Sequence, residues 1–82
     1  MIPRDEIMNL LASELRAMDV KLPDILHDEL SFRHDLGLDS LALAEFVARM
    51  EIVFHVQISD QEWKELATLG LALDYVEKRL GK

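Results

Sequence analysis

Apolar residues recur at spacings of three and four in three stretches of this chain and lose that rhythm between them. Ile7, Leu10, Leu11, Leu15 and Met18 form the first stripe. It predicts an amphipathic helix over roughly Pro3 to Met18. Pro3 suits its first turn, and Asp5 and Glu6 place negative charge where the helix dipole favours it. Leu43, Phe46, Val47, Met50 and Phe54 form the second stripe, which Val53 extends. A helix from Ser40 to about Phe54 would turn this stripe to a core. Leu69, Ala72 or Leu73, Val76 and Leu80 form the third. Thr68 caps that last helix, Gly70 weakens its first turn slightly, and Lys78, Arg79 and Lys82 put cations at its C-terminal end.

Between the stripes the signals are local. Ser59-Asp60-Gln61-Glu62 is a capping box, with Ser at the cap and Glu three residues on. It predicts a short helix, about Asp60 to Leu66, with Trp63 and Leu66 inward. Val56-Gln57-Ile58 alternates like a strand but is too short and isolated for one. A loop with inward Val56 and Ile58 fits better.

From Asp19 to Asp39 no period is sustained. Pro23 biases Leu22 away from the helical region. Leu22, Ile25, Leu26, Leu30 and Phe32 are apolar beads on a polar string. A connection this long inside a compact domain is uncommon and generally has a purpose. Ile25, Leu30 and Phe32 are expected to pin it across the bundle, with a short helical turn near Asp24 to Asp28. The fold class is therefore all-α: a four-helix bundle with a short third helix and a long loop between helices 1 and 2. Residues 1–82 form one domain in this reading.

The long loop runs into Asp35-Leu36-Gly37-Leu38-Asp39-Ser40-Leu41. Gly37 can take a positive φ at little steric cost. Asp39 and Ser40 are both good N-cap residues. Ser40 should sit at a helix N-terminus with its hydroxyl near solvent, where partial positive charge and spare N–H groups favour a phosphate. The plainer reading of such a Ser is a cap and nothing more.

Net charge is −7 and the sequence pI is near 4.7. A chain this acidic repels nucleic acid and anionic membrane surfaces. It attracts basic patches on protein partners, which speeds encounter more than it adds affinity. Solubility alone would also account for the acidity. Between Asp19 and Asp39, acids at 19, 24, 28, 29, 35 and 39 face only Lys21 and Arg33, so the approach to Ser40 holds much of the excess. A hydrophobic share of 50% argues against global disorder. There is no Cys, which excludes a disulfide framework and makes a cytoplasmic setting natural. Any thioester would need its sulfur from a prosthetic group. No stretch is long and apolar enough to cross a membrane, and the N-terminus is no signal peptide.

The residues favour few catalytic chemistries. A Ser hydrolase needs a His held by an acid. Nothing in the spacing of His27, His34 and His55 places one beside Ser40. These His share no metal-ligand spacing either. Asp35 and Asp39 could chelate a cation only with further ligands. No phosphate-cradling Gly-rich loop is present, and basic residues do not cluster on one helix face. A domain of this length has little room for a deep enclosed site.

The stretch from Asp35 to Leu41 resembles the attachment motif of acyl carrier proteins. The likeness extends to Phe32 before it, to Ile58-Ser59-Asp60 and Leu73-Asp74-Tyr75-Val76 after it, and so to most of the chain from about Glu6 to Leu80. It implies that Ser40 accepts 4′-phosphopantetheine from coenzyme A, and that the arm's thiol carries acyl intermediates as thioesters. The chain would not itself be an enzyme. A phosphopantetheinyl transferase would supply base and metal, with a loading ligase and synthase enzymes as further partners. Asp39 would help position the coenzyme A–metal complex. Asp35, Leu41, Ala44, Glu45 and Ala48 would serve partner recognition, and the protein would be a monomer.

Two departures qualify the resemblance. Carriers of fatty-acid synthesis have a strongly acidic second helix, whereas Ser40 to His55 holds Glu45 and Glu51 against Arg49. Ala42, Ile52, Val53 and His55 stand where acids are common. That pattern suits a dedicated pathway with an apolar or shape-based interface. Trp63 is also unusual for the third helix: it either packs in the core or fills the pocket that shields the acyl chain in fatty-acid carriers, lining a different pocket or leaving the cargo in solvent. An aminoacyl or peptidyl carrier is the alternative within the class. A non-covalent acidic helical adaptor is the alternative outside it.

Overall fold

The computed structural model describes residues 2–80, so Lys82 and its proposed dipole role lie outside the described residues. Four helices follow in order: α1 (Arg4–Ala17), α2 (Ser40–Phe54), α3 (Asp60–Trp63) and α4 (Leu69–Leu80). Helix α1 packs on both α2 and α4.

The ends of α1 and α2 have local causes. Pro3 is extended and precedes α1 as its N-cap residue, rather than lying within the first turn. Its carbonyl accepts from the amides of Glu6 and Ile7. At the other end Asp19 takes a left-handed φ of 64°. The Val20 amide then reaches the Leu15 carbonyl and the Asp19 amide reaches that of Arg16, which is a Schellman closure. His55 ends α2 in the same left-handed region, and Val56 donates to Glu51.

The stripes read from the sequence face inward. Ile7, Leu11 and Leu15 from α1, Leu43, Phe46, Val47, Met50 and Phe54 from α2, and Leu69, Ala72, Leu73 and Val76 from α4 are all buried. Leu10, Met18, Val53 and Leu80 pack at the edge of this core. Ile58 is buried and Val56 half-buried.

The long connection departs from expectation in two respects. In place of a helical turn over Asp24 to Asp28, the chain bends at Asp24 and Ile25 and turns at Asp28 and Glu29. Ile25 is 77% exposed and pins nothing. Leu22 and Leu26, on either side of that bend, are the residues that reach the core. Leu30 and Phe32 do anchor the loop, joined by Leu36 and Leu38. The Phe32 ring lies 5.2 Å from that of Phe46, tilted by 52°.

Backbone hydrogen bonds then tie the loop to the entrance of α4. Phe32 donates to Ala67, Leu69 to Leu30, and Gly70 to Asp28, with an antiparallel bridge between Ser31 and Thr68. Thr68 also caps α4, its hydroxyl accepting from the Leu71 amide. Arg4 adds a polar clamp: its guanidinium pairs with Asp28, Asp74 and Glu77, joining the start of α1 to the loop and to α4.

Helix α3 is shorter than its capping box implied. The box is complete, with Ser59 and Glu62 bonded to each other's amides. The helix nevertheless stops at Trp63 instead of Leu66. Glu65 and Leu66 donate to Glu62 and Trp63, three residues back, so the chain tightens into turns and leaves the α-helix. Leu66 is buried as expected, and Trp63 is half-buried.

Candidate functional site

The site is built from the end of the long loop. The Ser31 amide donates to the Asp35 carboxylate at 2.7 Å, and the His34 amide donates to the Ser31 hydroxyl at 3.1 Å. The Ser31 carbonyl accepts from Asp35 and Leu36, and the Leu38 amide closes on the Phe32 carbonyl at 2.8 Å. Gly37 takes a φ of 71°, which a Cβ would strain. The bend lets Leu36 and Leu38 both enter the core and carries Asp39 outward.

Of the two candidate caps, Asp39 does the capping. Its backbone is extended and its carboxylate accepts from the Ala42 amide at 2.8 Å. Ser40 is the first helical residue, and its hydroxyl is left out of the cap. Ser40 is exposed, at the positive end of a 15-residue helix whose first amides have no intrahelical carbonyl. The Arg33 guanidinium donates to Ser40 Oγ at 3.2 Å.

A cavity of about 370 Å³ opens beside Ser40. Arg33, His34, Leu43, Trp63 and Lys64 are among its lining residues, and no carboxylate is. The fold thus brings His34 to the same cavity as Ser40, which its spacing did not suggest. Among the described residues no acid orients the His34 ring, so the arrangement lacks the elements of a nucleophilic triad. Trp63 belongs both to the core edge and to this cavity, with its indole N–H donating to Asp60.

The outer face of α2 carries Leu41, Ala44, Glu45 and Ala48, all exposed. Leu41 is 83% exposed. Ile52, 74% exposed, continues this face although sequence reasoning treated it only as a missing acid. Its spacing from Ala44 and Ala48 was the available signal. Arg49 bonds to Glu14 at 3.2 Å and to Glu45 at 3.3 Å, and these carboxylates raise the pKa of its guanidinium. The pairing offsets charge on a helix already nearly neutral. Asp35 is exposed, but its carboxylate is engaged by the Ser31 amide. Arg33 and Lys64 are the site residues that the sequence did not single out.

An exposed hydroxyl, a helix N-terminus and a guanidinium form a donor set that fits a phosphodiester. Among the described residues no helix is long and apolar enough to cross a membrane. Two comparisons bear on this geometry. The chain is similar in structure to acyl carrier protein from Enterococcus faecalis, with a TM-score of 0.74 and 29% sequence identity, over 94% of this chain and 98% of that one. The family model described as phosphopantetheine attachment site matches residues 5–76. The chain therefore belongs to the acyl carrier protein family, whose cofactor is covalently attached 4′-phosphopantetheine.

Proposed function

We propose that Ser40 is the attachment point of the arm, and that the protein carries acyl groups as thioesters between the enzymes of a dedicated biosynthetic pathway. The observation that carries this reading is the division of labour at the start of α2. Asp39 caps the helix, which leaves the Ser40 hydroxyl exposed and outside the cap. Attachment joins Ser40 Oγ to phosphorus and breaks the phosphoanhydride of coenzyme A. 3′,5′-ADP leaves, and the hydroxyl proton passes to a base of the transferase. The bound arm supplies a thiol that this Cys-free chain lacks. Tethering then raises the concentration of the cargo at each partner's active site. The chain itself performs no catalysis in this reading.

Asp39 and the α2 face of Leu41, Ala44, Glu45, Ala48 and Ile52 would meet the partner enzymes, while Asp35 serves by holding the loop. The exposed Leu41 and Ile52, with Glu45 engaged by Arg49, favour partners with an apolar patch over strongly basic ones. The same feature supports an aminoacyl or peptidyl cargo as the second reading. Loading with aminoacyl and acyl substrates by the cognate ligase separates the two.

The test is intact mass after incubation with coenzyme A and a broad-specificity phosphopantetheinyl transferase, with Ser40→Ala alongside. The expected result is a gain of one phosphopantetheine in the parent and none in the variant. A folded parent that gains nothing, or a variant that still gains the arm, overturns the assignment of Ser40. The first outcome would leave the non-covalent adaptor as the working reading.

A further inference from the structure

The cations at the Ser40 cavity are unexpected in a chain of net charge −7. Its lining includes Arg33 and Lys64 and no acid. By contrast, the cavity between α3 and α4 is lined by Glu62, Glu65 and Asp74 as well as by Lys78 and Arg79. Arg33 lies in the most acidic part of the sequence, yet its guanidinium is directed onto Ser40 Oγ at 3.2 Å. A neutral hydroxyl is a weak partner for that group.

We infer that Arg33 is a positioning residue for the arm: its guanidinium pairs with the phosphodiester on Ser40 and holds the near end of the arm at the cavity lined by Trp63 and Lys64. This inference rests on the assignment of Ser40. Two observations and one chemical principle support it. The guanidinium already touches the oxygen through which the phosphate would be attached. A planar guanidinium suits phosphate oxygens and bonds to them more strongly than to a neutral acceptor. The cavity begins at Ser40 itself, so the part of the arm nearest the protein, which bears the negative charge, lies closest to these cations. The consequence is a loaded carrier whose arm leaves Ser40 toward α3, on the Trp63 side, until a partner displaces it. Because the contact is exposed, salt weakens it.

The test uses the parent, Arg33→Ala and Arg33→Lys, each loaded with unacylated phosphopantetheine and checked by intact mass. Phosphorus NMR and proton–nitrogen NMR then compare the loaded and unloaded forms at low and high salt, with circular dichroism as a check on folding. Loading of the parent should shift the Arg33 side-chain N–H signal and the amides of Trp63 to Ala67. In Arg33→Ala those amides should stay at their unloaded positions, and the phosphorus signal should move. Arg33→Lys should recover the parent's shifts only in part, because it keeps charge without the fork. High salt should bring the phosphorus signals of parent and Arg33→Ala together. Equal loading-induced shifts in loaded parent and loaded Arg33→Ala overturn the inference while the mass gain leaves the Ser40 assignment standing. Absence of a mass gain in the folded parent overturns both.

Discussion

The Gly70 amide donates to the Asp28 carbonyl at 2.9 Å, and a Cβ on Gly70 would lie 2.7 Å from the Asp28 Cβ. This close approach is where the long loop meets α4. Gly→Ala in a helix ordinarily gains up to about 1 kcal/mol. Overpacking against a rigid neighbour costs about 1–3 kcal/mol, and Asp28 presents its Cβ and backbone rather than a flexible tip. Gly70→Ala is therefore expected to be destabilising, with a lower melting temperature in calorimetry. An unchanged or higher value would refute the contact.

Asp39→Ala and Ser40→Ala should separate cleanly. Asp39 caps α2, so its loss is expected to cost about 1 kcal/mol. Ser40 makes no cap bond, and its replacement should stay within about 0.5 kcal/mol, as is usual for exposed sites. Urea titration of both variants checks the order. A larger loss for Ser40→Ala would mean that the hydroxyl is structural.

Phe32→Ala is expected to cost about 3–5 kcal/mol, a large part of the stability of a domain this small. The ring is fully buried and packs at a tilt against that of Phe46. Because the two rings touch, combining Phe32→Ala with Phe46→Ala should cost a sum different from that of the singles. Strict additivity in denaturant midpoints at unchanged slope would argue against the contact.

The Glu62 carboxyl is held down at about 2 by its hydrogen bonds to the Ser59 amide and hydroxyl, with a further contribution from Arg79. An unfolded Glu titrates at about 4.3. Above that value both states are ionised and the stabilisation is fully present. As pH falls toward 2 the unfolded chain takes up the proton first, so the stabilisation is lost across that window. Glu62→Gln can still complete the capping box but has no proton to bind. The melting-temperature gap between parent and Glu62→Gln should shrink from pH 5 to about pH 2. A gap that is constant across that range would refute the pairing.

Leu41→Glu and Ile52→Glu should leave stability within about 0.5 kcal/mol, since both side chains project from α2 into solvent. If this face meets partner enzymes through apolar contact, each change should lower kcat/KM for a cognate partner about tenfold, equivalent to about 1.4 kcal/mol of transition-state binding. Steady-state kinetics with the parent's own loading enzyme reads this directly, and unchanged values would move the docking face elsewhere.

What the sequence determined by itself was whatever closes within a few residues. The core stripe of α2, the Ser59–Glu62 box, the positive φ at Gly37 and the exposure of Ser40 depend on spacing and on backbone preference. The likeness to an attachment motif was legible for the same reason, because the residues that carry it form one unbroken stretch from Asp35 to Leu41. Competition between neighbours was harder to read. Asp39 and Ser40 both suit a cap, and only the geometry of the loop gave that role to Asp39 and left the Ser40 hydroxyl outside it. Ile25 resembled Leu30 as an anchor, yet the bend at Asp24 and Ile25 leaves it exposed. Contacts across the chain were not legible at all. Gly70 read as a slightly weak helical residue until Asp28, distant in sequence, was brought against it. Trp63 and Lys64 line one cavity with Ser40 although they are more than twenty residues away, where the bridge between Ser31 and Thr68 ties the two segments together. Arg33 is seven residues from Ser40, beyond the reach of a helical pattern, and the turn at Ser31 to Leu38 is what brings its guanidinium to the hydroxyl. Such pairings arise when buried anchors such as Phe32 and Leu38 commit the chain to one path, and no local propensity encodes them.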